Sequence, residues 1–274
     1  MIDLDRIRKQ FHEYVSNYDI NNSKIKLKYE HTLRVVENCK VLANELKLNE
    51  EDTKLACLIG YLHDIGRFEQ AKVYGTFKDN KSIDHADYSI EQLFEKGEIR
   101  KYIDEIEYDE IIYVSVKYHN KIDIKDGIDE RTKLFAELIK DADKIDIFRV
   151  AVINKSQDFY EVNKYDGNLT KSVEKTFYEH KLINITQVKT VTDKLALIIA
   201  FVYDINIKKS FEIIKKEKLI EKVVEIFLQD YNVQDDKKIQ KMKREILNYM
   251  RIKKKNSVTF CYVILSCLKL KKSI

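Results

Sequence analysis

The sequence predicts an all-α protein, and three observations support this class. The 274-residue chain has no proline and only six glycines, so the commonest helix breakers are almost absent. Charged residues make up 35% of the chain. Apolar residues recur at three- and four-residue steps through most segments, which is the period of one buried helical face. A chain of this length can bury a sizeable core, either as one large domain or as a domain with an appendage.

The first long predicted helix covers residues 26–46. Val36, Cys39 and Ala43 fall on one face at helical spacing. His31 lies close to that face, since successive side chains are about 100° apart around the helix axis. A histidine that points inward needs a polar partner.

The second helix is predicted from Asn49 to about Gly66. Asn49 is a suitable N-cap, and acidic residues follow it in the first turn. The helix is apolar nearly all round, so we expect it to be central. His63 and Asp64 come at its end, where Gly66 lets the chain turn and leaves their side chains projecting into a cavity.

The remaining elements follow from the same patterns. The polar, glycine-containing stretch from Phe68 to Asp84 is predicted to be a loop. Helices are predicted over 85–96, 102–118 and 132–152, although 102–118 alternates in the manner of a strand. After a polar break at 165–168, further helices are predicted at about 172–180, 187–205, 207–229 and 235–254. We expect a core at 1–160 and an α-helical extension at 161–274 that packs on it, because no flexible linker is visible.

Charge and cysteine usage limit the functional classes. The chain has 50 basic and 46 acidic residues, so its net charge of +4 gives little reason to expect nucleic-acid binding. The four cysteines, Cys39, Cys57, Cys261 and Cys267, form no C-x-x-C pair, and the first two lie in apolar patterns. A reducing compartment is therefore expected.

The ends of the sequence bear on its location. The first residues are charged and form no apolar signal region, so we expect a cytoplasmic protein. The apolar run Val258 to Leu268 is shorter than the ~20 residues that a spanning helix needs, so no membrane partner is expected. This run is compatible with packing between copies in a homo-oligomer.

Four positions carry the chemistry. His31, the His63-Asp64 pair and an acidic cluster at 141–146 offer imidazole and carboxylate ligands inside apolar segments. Such a mixed nitrogen and oxygen set suits Mn, Fe, Co, Ni or Zn, and the residue types do not select among them. Asp141, Asp143 and Asp146 are all candidates within the cluster.

The order His, His-Asp, Asp resembles the HD-domain superfamily of metal-dependent phosphohydrolases over about residues 25–155. The resemblance implies an HD-domain helical bundle, including a helix at 102–118. It implies His31, His63, Asp64 and Asp143 as metal ligands, Asp143 being the aspartate of an Ala-Asp-Lys pattern. It also implies that His85 and His119 hold a second metal, as in some dinuclear members. One or two divalent ions per chain, with Mg added to the candidates above, are therefore expected.

The resemblance implies hydrolysis of a phosphate ester or anhydride of a small molecule, with a nucleotide as the expected substrate. A divalent cation lowers the pKa of water from ~15.7 towards ~7, and Asp64 would act as a terminal or a bridging ligand. Arg67 is the candidate phosphate clamp beside Asp64, because a guanidinium forks onto two phosphate oxygens. Lys81 in the predicted loop is a further candidate of this kind.

The chain departs from several known subfamilies. Arg67 stands where nucleotidases with a His-Asp-x-x-Glu pattern have their acid, and the chain lacks the Gly-Tyr-Pro and His-His-Glu elements of cyclic-dinucleotide phosphodiesterases. Two alternatives therefore stay open. One is a metal-containing module that senses a nucleotide with little turnover and signals to a partner. The other is a helical scaffold in which the polar residues form a buried network.

Overall fold

The structure of the protein, a computed structural model, describes residues 1–256. These residues form helices, turns and loops and contain no strand, which confirms the all-α class. The apolar run 258–268, with Cys261 and Cys267, and the lysine cluster at 269–272 lie outside the described residues. The chain divides into two compact units, Met1–Asp146 and Ile147–Ile274. The predicted packing of a C-terminal extension on a core stays a prediction.

The first unit contains seven α-helices in the described chain, the last of which continues past its boundary. They are α1 (Leu4–Val15), α2 (Ser23–Glu45), α3 (Glu50–Leu62), α4 (Gly66–Tyr74), α5 (His85–Ile90), α6 (Asp109–Tyr118) and α7 (Glu130–Ile153). Short 3₁₀ helices lie at Asp79–Lys81, Glu98–Lys101 and Ile106–Tyr108, and a π turn at Glu91–Glu95 extends α5.

The second unit contains six α-helices in the described chain. They are α8 (Ser156–Tyr160), α9 (Lys171–Tyr178), α10 (Val191–Ala200), α11 (Lys208–Lys216), α12 (Leu219–Asp230) and α13 (Lys237–Asn256). Ile239, Met242 and Ile246 of α13 are fully buried at helical spacing, so this helix has one core-facing side. No helix among the described residues is long and apolar enough to cross a membrane.

Helix α3 is central to the first unit. Every residue from Leu55 to Leu62 is buried, as its all-round apolar pattern predicted. Asn49 caps its start by accepting from the Asp52 amide. A Cβ on Gly60 would lie 3.2 Å from Val36 Cα, so the glycine allows α2 and α3 to approach closely.

The predicted loop at 68–84 is wrong in its first part. Helix α4 occupies Gly66–Tyr74, and Phe68 and Ala71 bury one face of it while charged residues cover the other. Gly75 ends this helix in the left-handed conformation, at φ +63°. The irregular segment is therefore 75–84, interrupted only by the 3₁₀ helix Asp79–Lys81.

Two other predicted helices differ in extent. The segment predicted at 102–118 is α-helical only from Asp109, after a 3₁₀ turn. The single helix predicted at 207–229 is divided into α11 and α12, because Lys218 adopts the left-handed conformation at φ +53°. Apolar periodicity continues across this break, so periodicity alone did not reveal it.

Candidate metal centre

Five elements bring six predicted side chains together in the first unit. His31 lies in the middle of α2, His63 and Asp64 follow α3, His85 begins α5, His119 follows α6, and Asp143 lies on α7. All six are buried, and the most exposed, Asp143, has 9% of its surface accessible. Ionisable side chains that are buried need polar partners, and these six side chains contact one another.

Asp64 lies between two histidine pairs. Its Oδ2 lies 3.5 Å from His31 Nε2 and 3.6 Å from His63 Nε2. Its Oδ1 lies 3.4 Å from His85 Nε2 and 3.6 Å from His119 Nε2. Each pair together with Asp64 forms a group that can hold a metal ion. One carboxylate is thus shared by two candidate positions, which we call the first position (His31, His63) and the second position (His85, His119).

The separations within the pairs suit a cation. The Nε2 atoms are 3.4 Å apart in the first pair and 3.0 Å apart in the second. Two imidazole nitrogens that bind one metal at ~2.1 Å lie about 3.0 Å apart at right angles and about 3.4 Å apart at the tetrahedral angle. Asp64 Oδ1 is also buried without a hydrogen-bond partner. The residues present therefore fit a divalent metal ion at both positions.

The outer nitrogen of each imidazole is held in place. His63 Nδ1 donates to Gly60 O at 2.8 Å, and His119 Nδ1 donates to Val116 O at 2.7 Å. Both histidines follow a helix, where the last carbonyls lack intrahelical partners. A carbonyl can only accept, so each ring carries a proton on Nδ1 and its Nε2 atom faces the cluster.

Carboxylates hold the other two rings. His31 Nδ1 lies 2.7 Å from Asp146 Oδ2, and His85 Nδ1 lies 2.6 Å from Asp79 Oδ2. Hydrogen bonds of this kind orient a metal-binding histidine and raise its basicity. Every histidine of the cluster is therefore oriented by an acceptor at its outer nitrogen.

Burial and charge set the protonation states. Burial lowers the pKa of His63 to about 3, and burial followed by the charge of Arg67 lowers the pKa of His85 to about 4. Burial alone would raise the pKa of Asp64, but Lys28 and His63 lower it well below its usual range. His63 and His85 thus present neutral imidazoles and Asp64 an ionised carboxylate, which are the forms that bind metal. Burial and the charge of Lys28 would lower the pKa of His31, but its hydrogen bonds to Asp143 and Asp146 outweigh them and raise this pKa instead.

The structure distinguishes the three aspartates of α7. Asp143 Oδ1 lies 3.1 Å from His31 Nε2 and 3.8 Å from His63 Nε2, beside the first position. Asp146 instead contacts the outer nitrogen of His31 and accepts from Arg34 Nε at 2.7 Å. Asp141 is fully buried. Of the three aspartates, Asp143 is therefore the one whose carboxylate could bind the same metal ion as His31 and His63.

Arg67 and Lys81 lie in different surroundings. Arg67 Nη1 donates to Gln70 Oε1, Phe77 O and Asp79 Oδ1 at 2.6–2.7 Å. Its Nε lies 3.7 Å from Asp64 Oδ1 and has no hydrogen-bond partner. Lys81 is exposed in the 3₁₀ helix Asp79–Lys81, and its side chain makes no ion pair with the cluster within the described residues.

Sequence reasoning missed two neighbours of the cluster. Lys28 donates to Asp64 Oδ2 at 2.6 Å, and Asp79 joins His85 to Arg67. Lys28 lies one helical turn before His31, so helical spacing placed it on the same side of α2. Asp79 carried no such signal, because it comes from an irregular segment whose path only the fold defines.

These observations define an all-α protein with a buried histidine and aspartate centre suited to two divalent ions. Residues 29–147 match the family model of the HD domain, which identifies this part of the chain as an HD domain. HD domains are commonly metal-dependent phosphohydrolases. Searches of curated proteins and of solved structures gave no match.

Proposed function

We propose that this protein hydrolyses a phosphate ester or anhydride of a small molecule, with a nucleotide as the expected substrate, in a reaction that requires divalent metal. The observation that carries the proposal is the position of Asp64, whose two oxygens each face a separate pair of histidine Nε2 atoms. Two-metal centres that act on phosphates share ligands in this way, with the ions about 3.5–4 Å apart.

The ligands would divide between the two positions. His31, His63 and Asp143 would hold one ion, His85 and His119 would hold the other, and Asp64 would bridge them. Divalent ions held there would supply hydroxide from water at neutral pH and would offset the charge on the phosphoryl oxygens. The side chains of the centre are buried, and burial strengthens each of these electrostatic effects.

Two cations beside Asp64 are placed to bind the phosphate. Lys28 now neutralises Asp64 Oδ2, and it would need another anion once that oxygen binds metal. The unpartnered Nε of Arg67 faces Asp64 Oδ1, while Nη1 anchors the side chain to Phe77 O and Asp79. Both groups therefore support phosphate binding, a role that the sequence suggested for Arg67 and Lys81 but not for Lys28.

Phe77 supports an aromatic substrate. Its ring is half-buried, and Lys28 Nζ and Arg67 Cζ each lie 5.6 Å from its centroid. A planar ring within 5.6 Å of two cations can stack with a nucleobase whose phosphate contacts those cations. This arrangement favours a nucleotide over a phosphate without a ring.

The test is phosphate release by protein purified without an affinity-metal step and reloaded with Mn, Fe, Co, Ni, Zn or Mg in turn. Nucleoside mono-, di- and triphosphates would be compared with phosphosugars. We expect release by the wild-type protein, and loss of at least 100-fold in Asp64→Asn, which removes a charge from the bridging position. Asp126→Asn is the matched control, because Asp126 is exposed on a loop and contacts none of these residues.

Other outcomes would change the conclusion. Tight nucleotide binding without phosphate release would support the sensing module. Failure to bind any metal, measured by elemental mass spectrometry, would reject the hydrolase and favour the scaffold. Full activity in Asp64→Asn would show that the chemistry does not depend on this centre.

A further inference from the structure

The two candidate metal positions have matching supports. In each pair one histidine donates to a helix carbonyl and the other faces an aspartate that also binds an arginine. His31 is backed by Asp146 and Arg34, with Arg34 Nε 2.7 Å from Asp146 Oδ1. His85 is backed by Asp79 and Arg67, with Arg67 Nη1 2.7 Å from Asp79 Oδ1. Each arginine keeps its aspartate ionised and so able to accept from the imidazole.

The two supports differ in rigidity. The Asp146 side chain is fully buried on the long helix α7. The Asp79 side chain is 30% exposed and belongs to the irregular segment 75–84. Near Asp79 that segment is held by two side chains of α4: Gln70 donates to Asp79 Oδ1, Ser82 Oγ and Ile83 O, and Arg67 donates to Phe77 O and Asp79 Oδ1.

We propose that Asp79, oriented by Arg67 and Gln70, is the positioning residue of the second metal position, and that this position is the weaker and more readily emptied of the two. The proposal rests on the dinuclear centre of the proposed function. The support of His31 lies on a long helix, whereas the support of His85 lies on an irregular, partly exposed segment that side-chain contacts hold in place. Holding such a segment in one conformation costs conformational entropy, which lowers the metal affinity of the position that depends on it.

A consequence concerns Arg67. Its Nη1 fixes Asp79 while its Nε faces Asp64, so one side chain connects segment 75–84 with the bridging carboxylate. A phosphate that draws Arg67 towards the centre would change the support of His85. Occupancy of the second position is therefore coupled to substrate binding through Arg67.

The experiment is calorimetric titration of the metal-free protein with Mn²⁺, together with electron paramagnetic resonance to detect coupled ion pairs. For the wild type we expect two affinity classes. Asp79→Asn should weaken the lower-affinity class by at least 10-fold, leave the higher-affinity class within about 2-fold and abolish the coupled signal. Asp79→Glu, which retains a carboxylate, should recover part of the affinity. Asp126→Asn should match the wild type.

The support of the first position, formed by Asp146 and Arg34, provides the comparison with Asp79→Asn. Arg34→Lys removes the bidentate contact with Asp146 and is less disruptive to folding than replacement of the buried aspartate itself. This variant should weaken the higher-affinity class of metal binding instead of the lower-affinity class. Circular dichroism and the thermal midpoint of the metal-free variants show that each is folded. If Asp79→Asn keeps both affinity classes, or weakens both equally, the proposal is overturned.

The titration separates this inference from the proposed function. It needs no substrate, so site-selective loss of metal in Asp79→Asn would support the positioning role even if no phosphate is ever released. Conversely, metal-dependent hydrolysis that survives with unchanged metal affinity in Asp79→Asn would support the function and overturn the inference.

Discussion

Lys28 Nζ lies 2.6 Å from Asp64 Oδ2, the oxygen that also faces the first histidine pair. The ammonium is partly buried, and it supplies a positive charge where a divalent ion would otherwise supply it. Lys28 and a metal ion therefore compete for the same carboxylate oxygen. The metal-free protein depends on the lysine, and the metal-bound protein does not.

Replacement of Lys28 tests this competition. Lys28→Met should lower the free energy of unfolding of the metal-free protein by about 1–3 kcal/mol, because it leaves a buried carboxylate without its strongest partner. It should also increase the affinity for Mn²⁺ at the first position. Thermal midpoints with and without saturating Mn²⁺ measure both effects. Lys26→Met is the matched control, since Lys26 lies exposed on the same helix. An equal loss of stability with and without metal would contradict the competition.

Gly66 holds α4 against the helix that carries His85. A Cβ at this position would lie 2.7 Å from Ser89 N and 2.8 Å from His85 O, and both are backbone atoms that cannot rotate away. Gly66→Ala should therefore lower the free energy of unfolding by about 1–3 kcal/mol and weaken metal binding at the second position. Denaturant unfolding and Mn²⁺ titration measure these effects. Lys72→Ala, at an exposed site on α4, should change stability by less than about 0.5 kcal/mol.

The buried cysteines should be unreactive. Cys39 and Cys57 are at most 2% exposed; burial raises the pKa of Cys39 well above its usual value and that of Cys57 to about 11. At pH 8 only ~1 in 1,000 Cys57 side chains would be thiolate, the reactive form. In a Cys261→Ser, Cys267→Ser variant we expect no reaction with an aromatic disulfide reagent until denaturant is added. Rapid labelling of the native variant would show that α2 and α3 are less tightly packed than described.

Two histidines outside the centre provide a negative test. His12 lies near the end of α1 beside Tyr29, and His180 follows α9 and contacts Glu245 at 2.8 Å. His12 has no hydrogen bond or ring contact with a residue of the cluster, and His180 belongs to the second unit, so His12→Ala and His180→Ala should leave the number of bound metal ions unchanged. By contrast, His63→Ala should remove at least one ion per chain. Elemental mass spectrometry of the purified variants gives these counts, and loss of metal from either control would mean that binding lies elsewhere.

The sequence predicted the parts of this molecule that depend on periodicity and on residue order. The buried helix α3, its Asn49 cap and the inward direction of His31 follow from local pattern, and the structure agrees. The family assignment followed from the order of His31, His63, Asp64 and the α7 aspartates. The helix, its cap and the direction of His31 could be predicted because each is encoded within a few neighbouring residues, whereas the family assignment used the order of motifs along the chain.

The missing parts depend on distant contacts. Asp79 reaches His85 and Arg67 only because segment 75–84 folds back towards α4, and no spacing rule predicts that path. The sequence predicted a loop from Phe68 to Tyr74 because only two apolar residues of this stretch, Phe68 and Ala71, are buried, and two residues are too few to show a period. Lys28 was one turn from His31, but its contact with Asp64 depends on the packing of α2 against α3.

His63 and His119 each complete the end of the helix that carries them, by donating to Gly60 O and Val116 O. The final turn of each helix and the orientation of its histidine ring therefore depend on each other. Unwinding of the turn releases the ring, and a ring that is held in place stabilises the turn. Slow hydrogen exchange at the ends of α3 and α6 is then a direct readout of occupancy at the first and the second position, respectively. The two helix ends would report separately on a centre that is itself hidden from solvent.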